Sequence, residues 1–212
     1  LISNGIKKGD KIAILSANMP NWGITQFAIA QVGAIAVPVL PGFSTPEIKN
    51  ILEHSESKII FVSKLLYKLV AGIQTDFLEQ KILMNTFARI PENYPAEEID
   101  KLANNIDLNN RQALPDIEVE ESDTASIIYT SGTTGFSKGV ELTHRNLVWD
   151  AHQCSTIQPV STNDRFLSIL PLAHTYENTL GFLLPVMFGA QIYYLDRVPT
   201  PKLLVPAMQK IR

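Results

Sequence analysis

Residues 130–139 read Thr-Ser-Gly-Thr-Thr-Gly-Phe-Ser-Lys-Gly. Five of the ten carry hydroxyls, three are glycine and one is lysine, which is an inventory suited to a polyphosphate. Glycine lets the backbone approach without a Cβ, hydroxyls and backbone N–H groups meet oxygens, and Lys138 supplies a point charge. The order Lys138-Gly139-Val140 excludes a Walker A loop, which needs Gly-Lys followed by Ser or Thr. On composition alone the stretch also fits a solvated connection. Its setting argues for more: an apolar run, 125–129, precedes it, and a helix is expected from about Thr143–His144. Strand, glycine-rich turn, then helix is where α/β proteins bind phosphates.

The remaining reactive side chains are scattered. Cys154 is the single cysteine, so neither an internal disulfide nor a cysteine-based zinc site is available. It reads as a small buried hydrophobe rather than a nucleophile. His54 falls on a helix among charged residues and reads as solvated. His144 and Asn146 belong to the helix start after the loop, with Thr143 as its cap. None of these spacings fits a metal site, and no Ser–His–Asp or Cys–His arrangement is apparent. Trp22 and Trp149 read as packing residues on helix faces.

Elements to position these groups follow from periodicity and caps. Residues 11–17 read as a buried strand, followed by a helix with Asn18 as cap and Pro20 in its first turn, ending at Gly33. A second strand covers 34–39. Ser44 and Glu47 have capping-box spacing for a helix over 46–55, and a third strand covers 58–62. Residues 86–121 are polar and weakly periodic and read as a long irregular connection. The alternation resumes with strands at 125–129, 165–170 and 191–195 and helices from about 144, 178 and 201. Strands alternating with helices predict an α/β fold with a mostly parallel sheet flanked by helices. The expected division is a first α/β subdomain over 1–155 and the beginning of a second, truncated one over 156–212.

The chain has 212 residues, 45% of them apolar and 18% charged, with a net charge of −3. That is ordinary for a globular protein with a genuine core, and it gives no reason to expect a nucleic-acid partner. No apolar run approaches the ~18 residues of a membrane-spanning helix. The chain opens on Leu1 and closes inside an expected helix, as a piece of a longer protein would.

Tyr129-Thr-Ser-Gly-Thr-Thr-Gly-Phe-Ser-Lys138-Gly-Val140, then Leu142-Thr-His-Arg-Asn146-Leu, resembles the signature of the adenylate-forming (AMP-binding) superfamily. That superfamily includes acyl-CoA synthetases, luciferases and peptide-synthetase adenylation domains. Val32-Gly-Ala-Ile-Ala-Val-Pro-Val39 and Ile51-Leu-Glu-His-Ser-Glu-Ser-Lys58 are similar to its early α/β region. Leu170-Pro-Leu-Ala-His-Thr-Tyr-Glu177 is similar to a second signature, in the form found in long-chain fatty-acyl-CoA synthetases. The family usually has proline before the signature lysine, and Ser137 stands there instead; losing a fixed φ loosens the loop while adding a donor.

The resemblance implies a part of an ATP-dependent acid–thiol ligase. A fatty acid would be activated as acyl-adenylate and passed to coenzyme A. It implies that Thr130, Ser131, Gly132, Thr133, Thr134 and Gly135 cradle the β- and γ-phosphates of ATP. Lys138 would offset their charge, and Thr130 would help order Mg2+. His174 would stand beside the acyl carboxylate and α-phosphate, with Tyr176 a wall of the acyl pocket and Glu177 orienting the loop or pairing with a basic group. Later motifs of the family lie beyond residue 212, so the piece alone is expected to be inactive. Transfer to an acyl carrier protein, or a non-catalytic nucleotide-binding module, remain as alternatives. The expected location is cytoplasmic, with peripheral contact to a membrane surface left open because no basic amphipathic helix is evident.

Overall fold

A computed structural model describes residues 1–102, 116–130, 138–195 and 199–211. Strands β1 (Lys11–Leu15), β2 (Ile35–Pro38), β3 (Ile59–Val62), β4 (Gln80–Leu83), β5 (Arg89–Ile90), β6 (Thr124–Thr130) and β7 (Lys138–Thr143) form one sheet in the order β5-β4-β3-β1-β2-β6-β7. The four central junctions are parallel, and the two outermost, β4–β5 and β6–β7, are antiparallel. Strands β8 (Arg165–Ser168) and β9 (Gln191–Tyr194) pair in parallel as a second, two-stranded sheet. The expected α/β class with a mostly parallel, helix-flanked sheet is what the chain adopts.

Both faces of the sheet are covered at its central strands β1, β2 and β3, which is why these are almost continuously apolar rather than alternating. In β1, Ala13 and Leu15 face one cluster with Val37, Ile48, Ile51, Leu52 and Val62. Ile12 and Ile14 face the other with Trp22, Ile29, Phe61, Leu172 and Phe182. Each such fully buried side chain stabilises the fold by about 1.5–3 kcal/mol before conformational entropy is charged against it.

Helix α1 (Pro20–Gln31) begins on the proline-set turn and stops at Gly33, whose φ of +66° ends it without a Cβ clash. It crosses the second cluster at Gly23, where a Cβ would collide with the Phe182 ring. Helix α2 (Thr45–His54) has the expected box: Glu47 Oε2 accepts from Ser44 N at 2.7 Å, and Ile48, Ile51 and Leu52 turn inward. Helix α3 (His144–Ile157) is capped by Thr143, whose hydroxyl accepts from Asn146 N at 3.1 Å. A π-helix (Glu177–Leu183) continues directly into α4 (Leu184–Met187), and α5 (Pro201–Lys210) closes the described chain.

Several expectations need correction. Lys138 does not lie in a turn leading into a helix: it opens β7, which returns antiparallel along β6, so the setting is a hairpin. Val140 and Leu142 alternate with Gly139 and Glu141, the period of a strand. Asn18 is not the cap of α1; Met19 holds that position and the Asn18 amide is engaged far along the chain. Trp149 is exposed rather than packed, 61% accessible and stacked on His152. Cys154 is only half-buried. The polar middle contains β5 and a 3-10 helix at Ala96–Lys101, and β4 before it had no counterpart in the expected strands.

Candidate functional site

Thr130 and Lys138 are register partners, the last pair of the β6–β7 ladder. The two residues that flank 131–137 therefore stand opposite each other at the end of the ladder. Ser131, Gly132, Thr133, Thr134 and Gly135 lie outside the described residues. Lys138 is exposed, and among the described residues no carboxylate pairs with it. One pair back, Tyr129 faces Gly139, where a Cβ would come within 2.9 Å of Ile127 and 3.3 Å of the Tyr129 ring. His54 is not merely solvated: its Nδ1 lies 2.7 Å from the Tyr129 hydroxyl, tying the C-terminus of α2 to the base of the hairpin.

The second group lies just after β8. His174 closes a turn, its N–H donating to Pro171 O at 2.8 Å, and its ring is exposed. Tyr176 N donates to His174 Nδ1 at 3.3 Å. With Nδ1 accepting, the proton of the neutral imidazole sits on Nε2, the nitrogen left to donate outward. Tyr176 itself is 59% accessible.

Glu177 is 6% accessible and faces inward. Its carboxylate accepts from Ser168 Oγ at 2.7 Å, Ile169 N at 3.2 Å and Leu170 N at 3.3 Å. It thus grips the end of β8 and the start of the segment leading to His174. A Cβ at Gly181 would fall 2.5 Å from Glu177 Oε1, so glycine one turn on gives the carboxylate its room. Burial pushes the nearby Tyr194 phenol above its usual range, and the Glu177 charge adds to that.

Asn18 was missed as anything but a cap. It follows β1, and its Nδ2 donates to Leu170 O at 2.6 Å and Ser168 Oγ at 2.9 Å while its Oδ1 accepts from Leu172 N at 2.8 Å. Each such bond is worth about 1 kcal/mol net. A second bridge runs between Gln26 of α1 and Asn178, whose amides pair at 2.9 and 3.4 Å. Position could have signalled Asn18: in open α/β sheets, groups just beyond the carboxyl ends of strands gather at the binding crevice.

The two groups share that edge. Thr130 ends β6, and β6 runs parallel to β2 and β1, beyond whose carboxyl end Asn18 holds the His174 loop. Helix α3, which packs on β6 and β7, also packs on the π-helix that begins at Glu177. A polar cleft of about 660 Å³ lies elsewhere, beside β4 and β5, lined by Lys49, Glu53, Lys81 and Arg89 and by none of the candidate residues. Among the described residues no cluster of His, Cys, Asp or Glu could hold a metal, and no helix is long and apolar enough to cross a membrane.

A mostly parallel α/β sheet, with β6 and β7 meeting at Thr130 and Lys138 on its carboxyl edge, defines a class, the open α/β-sheet proteins. More narrowly, residues 1–212 match the AMP-binding enzyme family, and the chain belongs to it. It is 31% identical over 204 residues to the chloroplastic long-chain-fatty-acid–[acyl-carrier-protein] ligase AEE15 of Arabidopsis thaliana, with 89% of this chain aligned. It is 32% identical over 178 residues to the crotonobetaine/carnitine–CoA ligase of Citrobacter koseri, with 82% aligned. The chain spans 28% and 33% of those two proteins' lengths, a third or less. The N-terminal domain of FACL13 from Mycobacterium tuberculosis superimposes with a TM-score of 0.77 at 25% identity, over 99% of this chain and 50% of that one.

Proposed function

We propose that this chain is part of an ATP-dependent acid–thiol ligase that activates a fatty acid as acyl-adenylate and passes it to coenzyme A. The observation that carries the reading is the shared edge: the Thr130–Lys138 hairpin mouth and the Asn18-held His174 loop both lie beyond the carboxyl ends of parallel strands. Residues 1–155 form the phosphate-holding unit, and 156–212 open a second one around β8 and β9.

In the first half-reaction a carboxylate oxygen of the acid attacks the α-phosphorus of ATP and the bond to the β-phosphate bridge breaks, releasing pyrophosphate. No protein nucleophile is needed; the protein positions the reactants and offsets charge. Thr130, with Ser131, Gly132, Thr133, Thr134 and Gly135, cradles the β- and γ-phosphates, and the ammonium of Lys138 neutralises them. The Thr130 hydroxyl is a hard oxygen donor at the hairpin mouth and suits the Mg2+ that accompanies ATP. His174, holding its proton on Nε2, donates to oxygen as charge develops near the α-phosphate. Tyr176 borders the acid, and Glu177 serves it by fixing the 168–170 backbone. In the second half-reaction a thiol attacks the acyl carbon and AMP leaves.

Similarity to an acyl-carrier-protein ligase favours a second acceptor reading, in which that carrier's thiol replaces coenzyme A. The test uses the full-length gene product with hydroxylamine, which traps acyl-adenylates as hydroxamates. Hydroxamate from C12–C18 acids, with acyl-CoA replacing it on addition of coenzyme A, is expected. Product only from short or amphoteric acids would contradict the fatty-acid reading. Product only with a carrier protein would select the second acceptor.

A further inference from the structure

Asn18 uses its whole amide on a segment 150 to 154 residues away. Leu172 N can only donate and Leu170 O can only accept, so the amide orientation is determined by its partners. Ser168 Oγ accepts from Asn18 and gives its single proton to Glu177, so one hydroxyl links the two side chains. Residues 168–172 are therefore held from one side by Asn18, rooted at the end of β1, and from the other by Glu177, rooted in the π-helix. His174 lies two residues beyond the last of these bonds, and its ring is fixed in turn by Tyr176 N.

We infer that Asn18 is a positioning residue for His174, setting the imidazole against the sheet that carries the phosphate hairpin. The inference rests on the role given to His174 above. A cap at the start of α1 would need none of these three bonds. Simple cohesion between the two sheets would not need them concentrated on the five residues that lead to the histidine.

The test is a double-mutant cycle in the full-length protein, read by acid-dependent ATP–pyrophosphate exchange. Asn18→Asp keeps the shape but loses the Nδ2 donors and sets a carboxylate against Leu170 O. It is expected to lower kcat by about tenfold or more while the KM for ATP changes by less than about twofold, because a displaced catalytic group costs rate rather than ground-state binding. In a His174→Ala background the same substitution should cost nothing further, since the group it positions is gone. An undiminished Asn18→Asp penalty in that background overturns the inference and makes Asn18 structural. His174→Ala with wild-type exchange is a different result and overturns the role of His174 itself. Ser168→Ala, which removes the hydroxyl link and is less disruptive, runs the same cycle should Asn18→Asp fold poorly.

Discussion

Tyr129 stands opposite Gly139 across the β6–β7 hairpin, and its hydroxyl lies 2.7 Å from Nδ1 of His54. An aromatic ring over a cross-strand glycine covers backbone that glycine leaves bare. The His54 ring meets the Tyr129 ring edge-on at 5.7 Å, so both polar and apolar contacts converge one residue before Thr130. Burial raises the Tyr129 phenol above its usual value, and a contact with Ser55 opposes that.

Tyr129→Phe keeps the ring and removes the hydroxyl. It should cost about 1 kcal/mol in urea unfolding, the net worth of one hydrogen bond, and raise the KM for ATP by loosening the hairpin base. Unchanged stability and unchanged KM would show that the contact with His54 anchors nothing.

Gly181→Ala places a methyl where the Glu177 carboxylate sits. The carboxylate must then release Ser168, Ile169 or Leu170, at a cost of about 1–3 kcal/mol for overpacking beside a buried, bonded charge. Thermal unfolding of the variant measures this. A Gly181→Ala variant as stable as the parent would mean that Glu177 has another place to go.

His144 is partly buried and its Nε2 has no partner. Burial lowers its pKa below the ordinary 6.5, Asp123 opposes that, and Lys8 reinforces it. A folded pKa below the unfolded one means that the unfolded chain binds the extra proton first. The contribution is therefore neutral above about 6.5 and becomes a loss of stability as pH falls through the lowered value. Urea midpoints between pH 7.5 and 5 should decline, and His144→Gln should flatten that part of the curve. An equal decline in the variant would place the titrating group elsewhere.

Thr143→Ala removes the cap that starts α3, the helix between the hairpin and the π-helix. A loss of about 1 kcal/mol is expected in equilibrium unfolding. No loss would mean that Asn146 caps the helix adequately alone.

The residues disclosed unevenly what they build. Strands β1 and β3 and the Ser44–Glu47 box were legible because uninterrupted apolar runs and capping pairs are local signals. Strand β7 was hidden by its neighbours: a glycine-rich stretch reads as leading to the next helix, and six residues beginning Lys-Gly carry little strand propensity. Strand β4 was overlooked because only Ile82 and Leu83 follow its two polar residues. Trp149 misled because a large aromatic on a helix predicts packing, whereas α3 turns Ala151 inward instead. For Asn18 the neighbourhood gave only its place beyond the end of β1, not its partners. A helix cap and a clamp on a loop 150 residues distant look alike locally, and only the fold separates them.

The central claim is that the 130–138 hairpin holds ATP for attack by a carboxylate. Its most direct test is ATP–pyrophosphate exchange by the full-length protein, parent against Lys138→Ala, with a long-chain acid present or omitted. Exchange that requires the acid and falls by about tenfold or more in the variant is the predicted result, since a charge at developing phosphate negative charge is worth several kcal/mol. Acid-dependent exchange that persists undiminished in Lys138→Ala, or no exchange with any acid from a folded protein, would contradict it.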